Sequence, residues 1–366
     1  MHQLPKYDAL HNVGAWIGNY YAAVRKGTGR WRPTGQLWSD DRMTTAAPTI
    51  ESVRELKRRL EGRIVETPVV RCAAIEKRIG GGTEVFAKLE FLQQTGTFKA
   101  RGALAVVLGL DEDQRRAGVT AVSAGNHAIA TAYAASVVGA SAKVVMLGSA
   151  NPGRIERAKG YGAEVVIVGD AHSAFATAEK IQAEEGRFFV HPFEGLNTFR
   201  GTATIGLEVC AQLPDFDSIV IPIGGGGLCA GISSAVKQLR PDATVFGVEP
   251  AGADSMKRSF ETGAPVTLDS INTIADSLGA PFALPMSFEI CRDNVDELAI
   301  VDDDELRSAM RFLFSEMKIA VEPACAATTA AVVGPLADRV RGRKVALILC
   351  GSNIDWQTFA DQAGLS

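Results

Sequence analysis

The feature that most limits what this chain can fold into is the alternation, from residue 49 onward, of short β-rich runs with helical segments. The runs are VFAKLE, VTAVSAG, KVVMLG, EVVIVG, RFFVHP, SIVIPIGGGG, TVFGVEP and KVALILCGS. Between them lie HAIATAYAASVV, GRIERAKGYG, SAFATAEKIQAEE, GTATIGLEVCAQL and LCAGISSAVKQL. Strands separated by helices of this length cannot close as tight hairpins. They build βαβ units, whose parallel sheets are covered on both faces. Nearly continuous apolar strands such as KVALILC agree, because a strand buried on both sides shows no polar alternation. Ahead of them SVRELKRRLEGRI has the period of an amphipathic helix. The fold class expected is α/β.

Composition removes several function classes. The chain has 366 residues, is 46% hydrophobic and 22% charged, and carries a net charge of −4. That is enough apolar material for one large core or two smaller ones. No basic excess points to nucleic acid or to an anionic membrane surface. Uninterrupted apolar stretches never reach the roughly 18 residues of a membrane span. Asp8, His11 and Asn12 stand where a secretory leader would be apolar. The six cysteines are scattered and form no C-x-x-C pair, so neither a disulfide framework nor a zinc site is expected, and the setting expected is cytoplasmic. Residues 1–44 hold three of the four tryptophans (Trp16, Trp31 and Trp38) without helix or strand period, and are expected to form a poorly ordered tail.

In open α/β sheets ligands sit at the carboxyl ends of the strands, and four segments there look chemical. Gly224, Gly225, Gly226 and Gly227, followed by Leu228, lie between a strand and a helix. A glycine run lets backbone N–H groups and the positive helix end approach a phosphate. It matches neither G-x-G-x-x-G nor the G-x-x-x-x-G-K-[ST] loop. Lys99, in TGTFKARGA, opens an apolar helix; desolvation there lowers a lysine's pKa and makes it nucleophilic toward a carbonyl. Taken alone, it equally reads as an ordinary exposed lysine. Ser123, Ala124, Gly125, Asn126 and His127 offer a helix N-terminus, a hydroxyl and an amide, which suits a carboxylate and a phenolic oxygen on one ligand, or a simple helix cap. His127 by itself reads as a packed, hydrogen-bonded residue. Cys350, ending KVALIL, can donate one weak hydrogen bond into a site or be an inert buried thiol.

Taken in order, the four segments resemble fold-type II pyridoxal-phosphate enzymes of the threonine/serine dehydratase and serine racemase group, over about residues 50–357. The lysine motif S-F-K-x-R-G-A is similar to Thr97–Ala103, S-[SA]-G-N-H-[AG] to Ser123–Ala128, G-G-G-G-[LM] to Gly224–Leu228, and [SC]-G-G-N to Cys350–Asn353, with Ser352 for a glycine. His191-Pro192-Phe193, Gly201–Glu208, Val248-Glu249-Pro250 and Val321-Glu322-Pro323 also match. The resemblance implies that Lys99 carries pyridoxal phosphate and then removes the Cα proton. It implies that Phe98 packs by the ring, that Asn126 touches the ring hydroxyl, and that Gly224–Leu228 hold the phosphate. Cys350 would face the pyridine nitrogen, and the loop Ser123, Ala124, Gly125, Asn126 and His127 would hold the substrate.

The implied architecture is two open, twisted, mostly parallel sheet domains, as in the tryptophan synthase β fold, with the cofactor in the cleft. Residues 45–117 and 196–366 would form the large domain and 118–195 a small mobile one. The implied reaction converts a β-hydroxy-α-amino acid, threonine- or serine-like, to a 2-keto acid and ammonia in a homodimer or homotetramer. The alternatives are dehydration of 3-hydroxyaspartate, phenylserine or a hydroxyectoine-degradation intermediate; Ser277–Pro281 departs from the D-G-x-A pattern expected of threonine dehydratases. β-Replacement enzymes carry S-V-K-D-R and T-S-G-N-T, both missing here, and a racemase needs a serine where Ala124 stands. Some relatives bind a cation; Glu249 and Ala253 match two of its ligands, but Ser255 replaces an aspartate and Asp254 lies one residue early, so the site expected is weak, mono- or divalent, or absent.

Overall fold

The run KVALIL lies inside the larger of two sheets, with Val345 to Leu349 all buried, as a strand with covered faces must be. The computed structural model describes residues 47–123, 125–148 and 150–365. The tail expected over residues 1–44 lies outside the described residues.

In chain order the first part contains α1 (Ile50–Leu60), β1 (Val69–Arg71), α2 (Ala73–Ile79), β2 (Glu84–Leu89), α3 (Lys99–Leu108) and α4 (Glu112–Ala117). Then come β3 (Val119–Val122), α5 (Asn126–Val138), β4 (Ala142–Leu147), α6 (Pro152–Gly160), β5 (Glu164–Val168), α7 (Ala171–Glu185) and β6 (Phe188–Phe189). Next are α8 (Leu196–Gln212), β7 (Ser218–Pro222), α9 (Gly227–Leu239), β8 (Thr244–Pro250), α10 (Ser255–Thr262) and α11 (Pro285–Asn294). The last are β9 (Glu297–Val301), α12 (Asp303–Met317), α13 (Pro323–Val333), α14 (Ala337–Val340), β10 (Lys344–Leu349) and α15 (Trp356–Ala363).

The strands form a six-stranded sheet, β1-β2-β10-β7-β8-β9, and a four-stranded sheet, β5-β4-β3-β6. All pairings are parallel except β1 with β2, which is antiparallel. β1 is a three-residue edge strand, too short to leave a hydrophobic period in the sequence. The run RFFVHP keeps two paired strand residues, with Val190 N still donating to Thr120 O at 2.8 Å. Each sheet has its own core. Around the four-stranded one, Leu104, Val107 and Leu108 of α3 pack with Ala128, Ile129 and Ala132 of α5 and Val119 and Ala121 of β3. Helix α3 also packs on α8 beside the larger sheet, so the helix that begins with Lys99 is shared by both layers.

What fixes that helix is a buried ion network. Arg101 is fully buried; it donates to both oxygens of Glu90 at 2.8 Å each and to both oxygens of Glu208 at 2.7 and 2.8 Å. Its remaining donors reach Thr204 Oγ1 at 3.0 Å and Val65 O at 3.2 Å. Lys88 Nζ, equally buried, donates to Glu208 at 2.6 Å and to Thr67 O at 2.6 Å. Two cations face two carboxylates, so the cluster is neutral and its polar atoms are satisfied, which such burial demands. The network ties β2 and the turn after it to α3 and α8.

Replacing Arg101 with Met keeps an unbranched chain but leaves two buried carboxylates facing one ammonium. The expected loss is about 3–5 kcal/mol, measured as a lower urea midpoint; an unchanged midpoint would show that the network is dispensable.

Candidate active site

Lys99 is the first residue of α3, and its position is set from both sides. Downstream, the Arg101 network holds the helix. Upstream, the TGTF turn is laced to the segment after β10: Phe98 N donates to Cys350 O at 3.1 Å, Ser352 N to Gly96 O at 3.0 Å, and Asn353 Nδ2 to Thr95 O at 2.9 Å. Lys99 and Cys350, far apart in sequence, thus belong to one backbone unit. Lys99 Nζ donates to Pro192 O at 2.6 Å and lies 5.2 Å from the centre of the Phe98 ring. Burial brings its pKa down to about 8, because an apolar site disfavours the ammonium.

His127 and His191 line the same cavity as Lys99, together with Phe98, Gly227 and Leu228. Each ring has one nitrogen fixed by the main chain: His127 Nε2 lies 2.7 Å from Val190 O, and His191 Nδ1 accepts from Glu194 N at 2.8 Å. Burial drives both imidazoles to about 3, so both are neutral beside the amine. His191 and Phe193, packed edge-on at 4.7 Å, both line the cavity, and Phe282 backs Phe193 at 6.0 Å from behind that lining.

The glycine run lies between β7 and α9. A Cβ on Gly227 would stand 2.2 Å from Phe193 O, and Gly226 has φ +92°, so side chains are excluded at both. Among the described residues, the N–H groups of Gly224, Gly225 and Gly226 have no acceptor in the protein. Unsatisfied donors at the start of a helix are a receptor for an anion. An amine poised as a nucleophile and a glycine cradle for a phosphate, bordering one cavity, fit the aldehyde and phosphate of pyridoxal phosphate.

The remaining expected residues fall as follows. Ser123 Oγ accepts from Gly125 N at 3.0 Å. Asn126, at the start of α5, donates through Nδ2 to Glu322 at 2.8 and 3.0 Å and to Ser277 Oγ at 3.1 Å, and accepts from Asn353 Nδ2 at 2.8 Å. Ala124 lies outside the described residues. Cys350 is buried, and a hydrogen bond with Cys325 together with burial pushes its thiol well above the ordinary value. Glu249 and Ala253 lie at the end of β8; both Glu249 oxygens accept N–H groups of α10, from Met256 and Lys257 at 2.8 Å each. Burial raises the Glu249 carboxyl to about 8. By capping α10, Glu249 seats Met256 against Gly226. No group of three or more His, Cys, Asp or Glu suited to a metal occurs among the described residues.

Sequence reasoning gave no role to Glu322, Asn353 or Arg154. Glu322 belongs to a piece recognised only as matching, and Asn353 closes the Cys350–Asn353 segment, in which only the thiol was given a role. Glu322 is fully enclosed, and burial raises its carboxyl. Arg154 sits in a helix that reads as a charged surface segment, yet it is buried.

A family model described as pyridoxal-phosphate dependent enzyme matches residues 60–351. The chain belongs to the pyridoxal-phosphate dependent enzymes of fold type II, in the threonine/serine dehydratase-like group. It is 53% identical over 322 residues to a phenylserine dehydratase of Ralstonia pickettii, covering 88% of this chain and 98% of that protein. It is 37% identical over 308 residues to an L-threonine ammonia-lyase of Thermotoga maritima, covering 84% and 76%. Maize serine racemase superposes with a TM-score of 0.81 at 33% identity, over 87% of this chain and 99% of that one.

Gly227→Ala places a methyl against a main-chain oxygen that cannot move aside. Cofactor affinity is expected to fall by at least about tenfold, measured by titrating the cofactor-free protein; unchanged affinity would remove the loop from the site.

Proposed function

We propose that this enzyme dehydrates and deaminates a β-hydroxy-α-amino acid bearing an aryl group on Cβ, a 3-phenylserine-type substrate. The reaction class is that of its relatives, which are dehydratases and ammonia-lyases. The aryl preference is supported by the 53% identity to the phenylserine enzyme and by the rings of His191 and Phe193 in the cavity lining, backed by Phe282. The observation that carries the chemistry is the buried Lys99 amine, lowered to about 8, in a cavity it shares with the glycine cradle. Dehydration of threonine is the second reading, favoured by the 37% identity to the threonine enzyme.

Pyridoxal phosphate, when bound, supplies an electron sink conjugated with the substrate Cα. Lys99 would hold it through Nζ, Phe98 would pack by its ring, the N–H groups of Gly224–Leu228 would receive its phosphate, and Asn126 would face the ring hydroxyl. Ser123, Ala124, Gly125, Asn126 and His127 form the substrate loop, with backbone N–H groups on the α-carboxylate. Lys99 Nζ would take the Cα proton, and the β-hydroxyl would be lost as hydroxide, the proton gained at Nζ balancing it so that water is released overall. The released enamine hydrolyses to a 2-keto acid and ammonia. Cys350, a neutral buried thiol, would face the ring nitrogen and could not keep it protonated as a carboxylate would, which would favour prompt loss of the β-hydroxyl. Ala124 has no proton to return to Cα, which favours elimination over racemisation.

Residues 118–195 act in this reading as a small mobile domain that closes on the carboxylate. A homodimer or homotetramer is supported by the large apolar side chains left in solvent on α12 and α15, Phe314 and Trp356. No helix among the described residues is long and apolar enough to cross a membrane, and the six free thiols suit a cytoplasmic setting.

Attachment of the cofactor needs a neutral amine. Reconstitution of cofactor-free protein should therefore speed up with pH and level off above about 8, whereas an unperturbed lysine would keep climbing toward 10.5. Growth of the visible absorption measures this, and Lys99→Ala should show neither the absorption nor turnover. In a panel of β-hydroxy amino acids followed by keto acid and ammonia release, kcat/KM for phenylserine should exceed that for threonine by about tenfold or more. Equal or reversed values would reject the aryl assignment.

A further inference from the structure

Six side chains, of which only Asn126 has a role above, form one hydrogen-bond chain of fixed polarity. Arg157 NH1 donates to Asn353 Oδ1 at 2.6 Å. The Asn353 amide must then turn its Nδ2 outward, and it donates to Asn126 Oδ1 at 2.8 Å. Asn126 in turn must present its own Nδ2 to Glu322, at 2.8 and 3.0 Å. From the other side Arg154 NH2 lies 3.5 Å from Glu322 Oε2, while NH1 donates to Asp276 at 2.5 Å and Nε to Asn353 O at 2.9 Å. A guanidinium only donates, so Asn353 must offer its oxygen to Arg157, and the two amides have one permitted orientation.

The series also joins the two layers. Arg154 and Arg157 belong to α6, between β4 and β5 of the four-stranded sheet. Asn353 follows β10, Glu322 precedes α13, and Asp276 lies in the connection from β8 to β9, all on the side of the larger sheet. Arg154 further touches the substrate loop: a Cβ on Gly125 would lie 2.5 Å from Arg154 Cδ. Asn126, Arg154, Glu322 and Asn353 are all buried, whereas the Asp276 side chain is 53% exposed. Both ends of the chain, Arg157 and Asp276, are therefore open to solvent, and its middle is enclosed.

We propose that Arg154, acting through Glu322, is a positioning residue that turns the Asn126 amide donor toward the ring hydroxyl when the four-stranded layer is seated on the larger sheet. This rests on the reading that Asn126 faces that hydroxyl. Glu322 and Ser277 Oγ hold the two protons of Asn126 Nδ2; Arg154 draws charge from Glu322 and fixes that bond, so the proton resting on Ser277, a neutral acceptor, is the one the ring hydroxyl takes. Seating of the layer and grip on the ring become one event.

A double-mutant cycle on the full chain tests this, with cofactor dissociation from the protein as the readout and kcat and KM measured alongside. Arg154→Gln should weaken cofactor binding about tenfold and lower kcat more than it raises KM; Arg154→Lys, which can still reach one carboxylate, should restore most of both. In an Asn126→Ala background the same Arg154→Gln change should cost almost nothing further. If it costs as much there as in the wild type, Arg154 does not act through Asn126 and the proposal is overturned, while the role of Asn126 stands. If Asn126→Ala alone leaves cofactor affinity unchanged, the reading of Asn126 fails and takes the proposal with it. Should Arg154→Gln not fold, the same cycle with the half-exposed Asp276→Asn decides, because it leaves Arg154 paired with Glu322 alone: a change in cofactor affinity that vanishes in the Asn126→Ala background supports the proposal, and one that persists there overturns it.

Discussion

The contact on which the rest of this structure depends is the buried pairing of Arg101 with Glu90 and Glu208. Placing four ionised groups out of water is costly, and the arrangement survives because every charge is matched and every remaining donor is taken. The return is positional. A hydrophobic cluster of the same volume could be as stable, but apolar packing tolerates small slides that a bidentate guanidinium does not. Arg101 lies two residues after Lys99, so the rigidity of the network is passed to the start of α3. Lys99 can then be buried against Pro192 O with a pKa near 8 and not swing out to solvent.

The site is otherwise assembled from strand ends. β3, β7 and β10 each stop where a polar loop begins, and the loops meet between the two sheets. Electrostatics there run in one direction. His127, His191 and Cys350 are all held neutral, so the charges next to the cavity come from Lys99 and, behind Asn126, from the Arg154 and Glu322 pair. A pocket with so few competing charges leaves the polarity of a bound ligand to be set by main-chain N–H groups and oriented amides, which cost no reorganisation during reaction.

Much of this was legible in the sequence, for a physical reason. The lysine turn, the SAGNH loop and the glycine run are local solutions: each needs particular residues at adjacent positions, so each leaves a contiguous trace. The parallel sheets were legible because burial on both faces removes polar residues from whole strands. Two edge strands were not: β1 is three residues long, and β9 is only partly buried and so lacks a continuous apolar run. Arg154 and Asp276 were not, because their partners lie more than a hundred residues away and each, read alone, is an ordinary surface charge. Glu249 carried the reverse lesson. Its match to a cation ligand was visible, but its use as a helix cap depends on where α10 begins, which no local pattern records.

The lacing of the TGTF turn to the segment after β10 has a consequence for how such an enzyme can diverge. The residue expected to bind the aldehyde carbon and the residue expected to face the opposite end of the ring are held at a spacing set by backbone hydrogen bonds, independent of side-chain identity. Phe193, Ser277 and Phe282 lie outside that lacing, on separate loops. Side chains at these three positions can change without breaking the main-chain hydrogen bonds that set the spacing between Lys99 and Cys350.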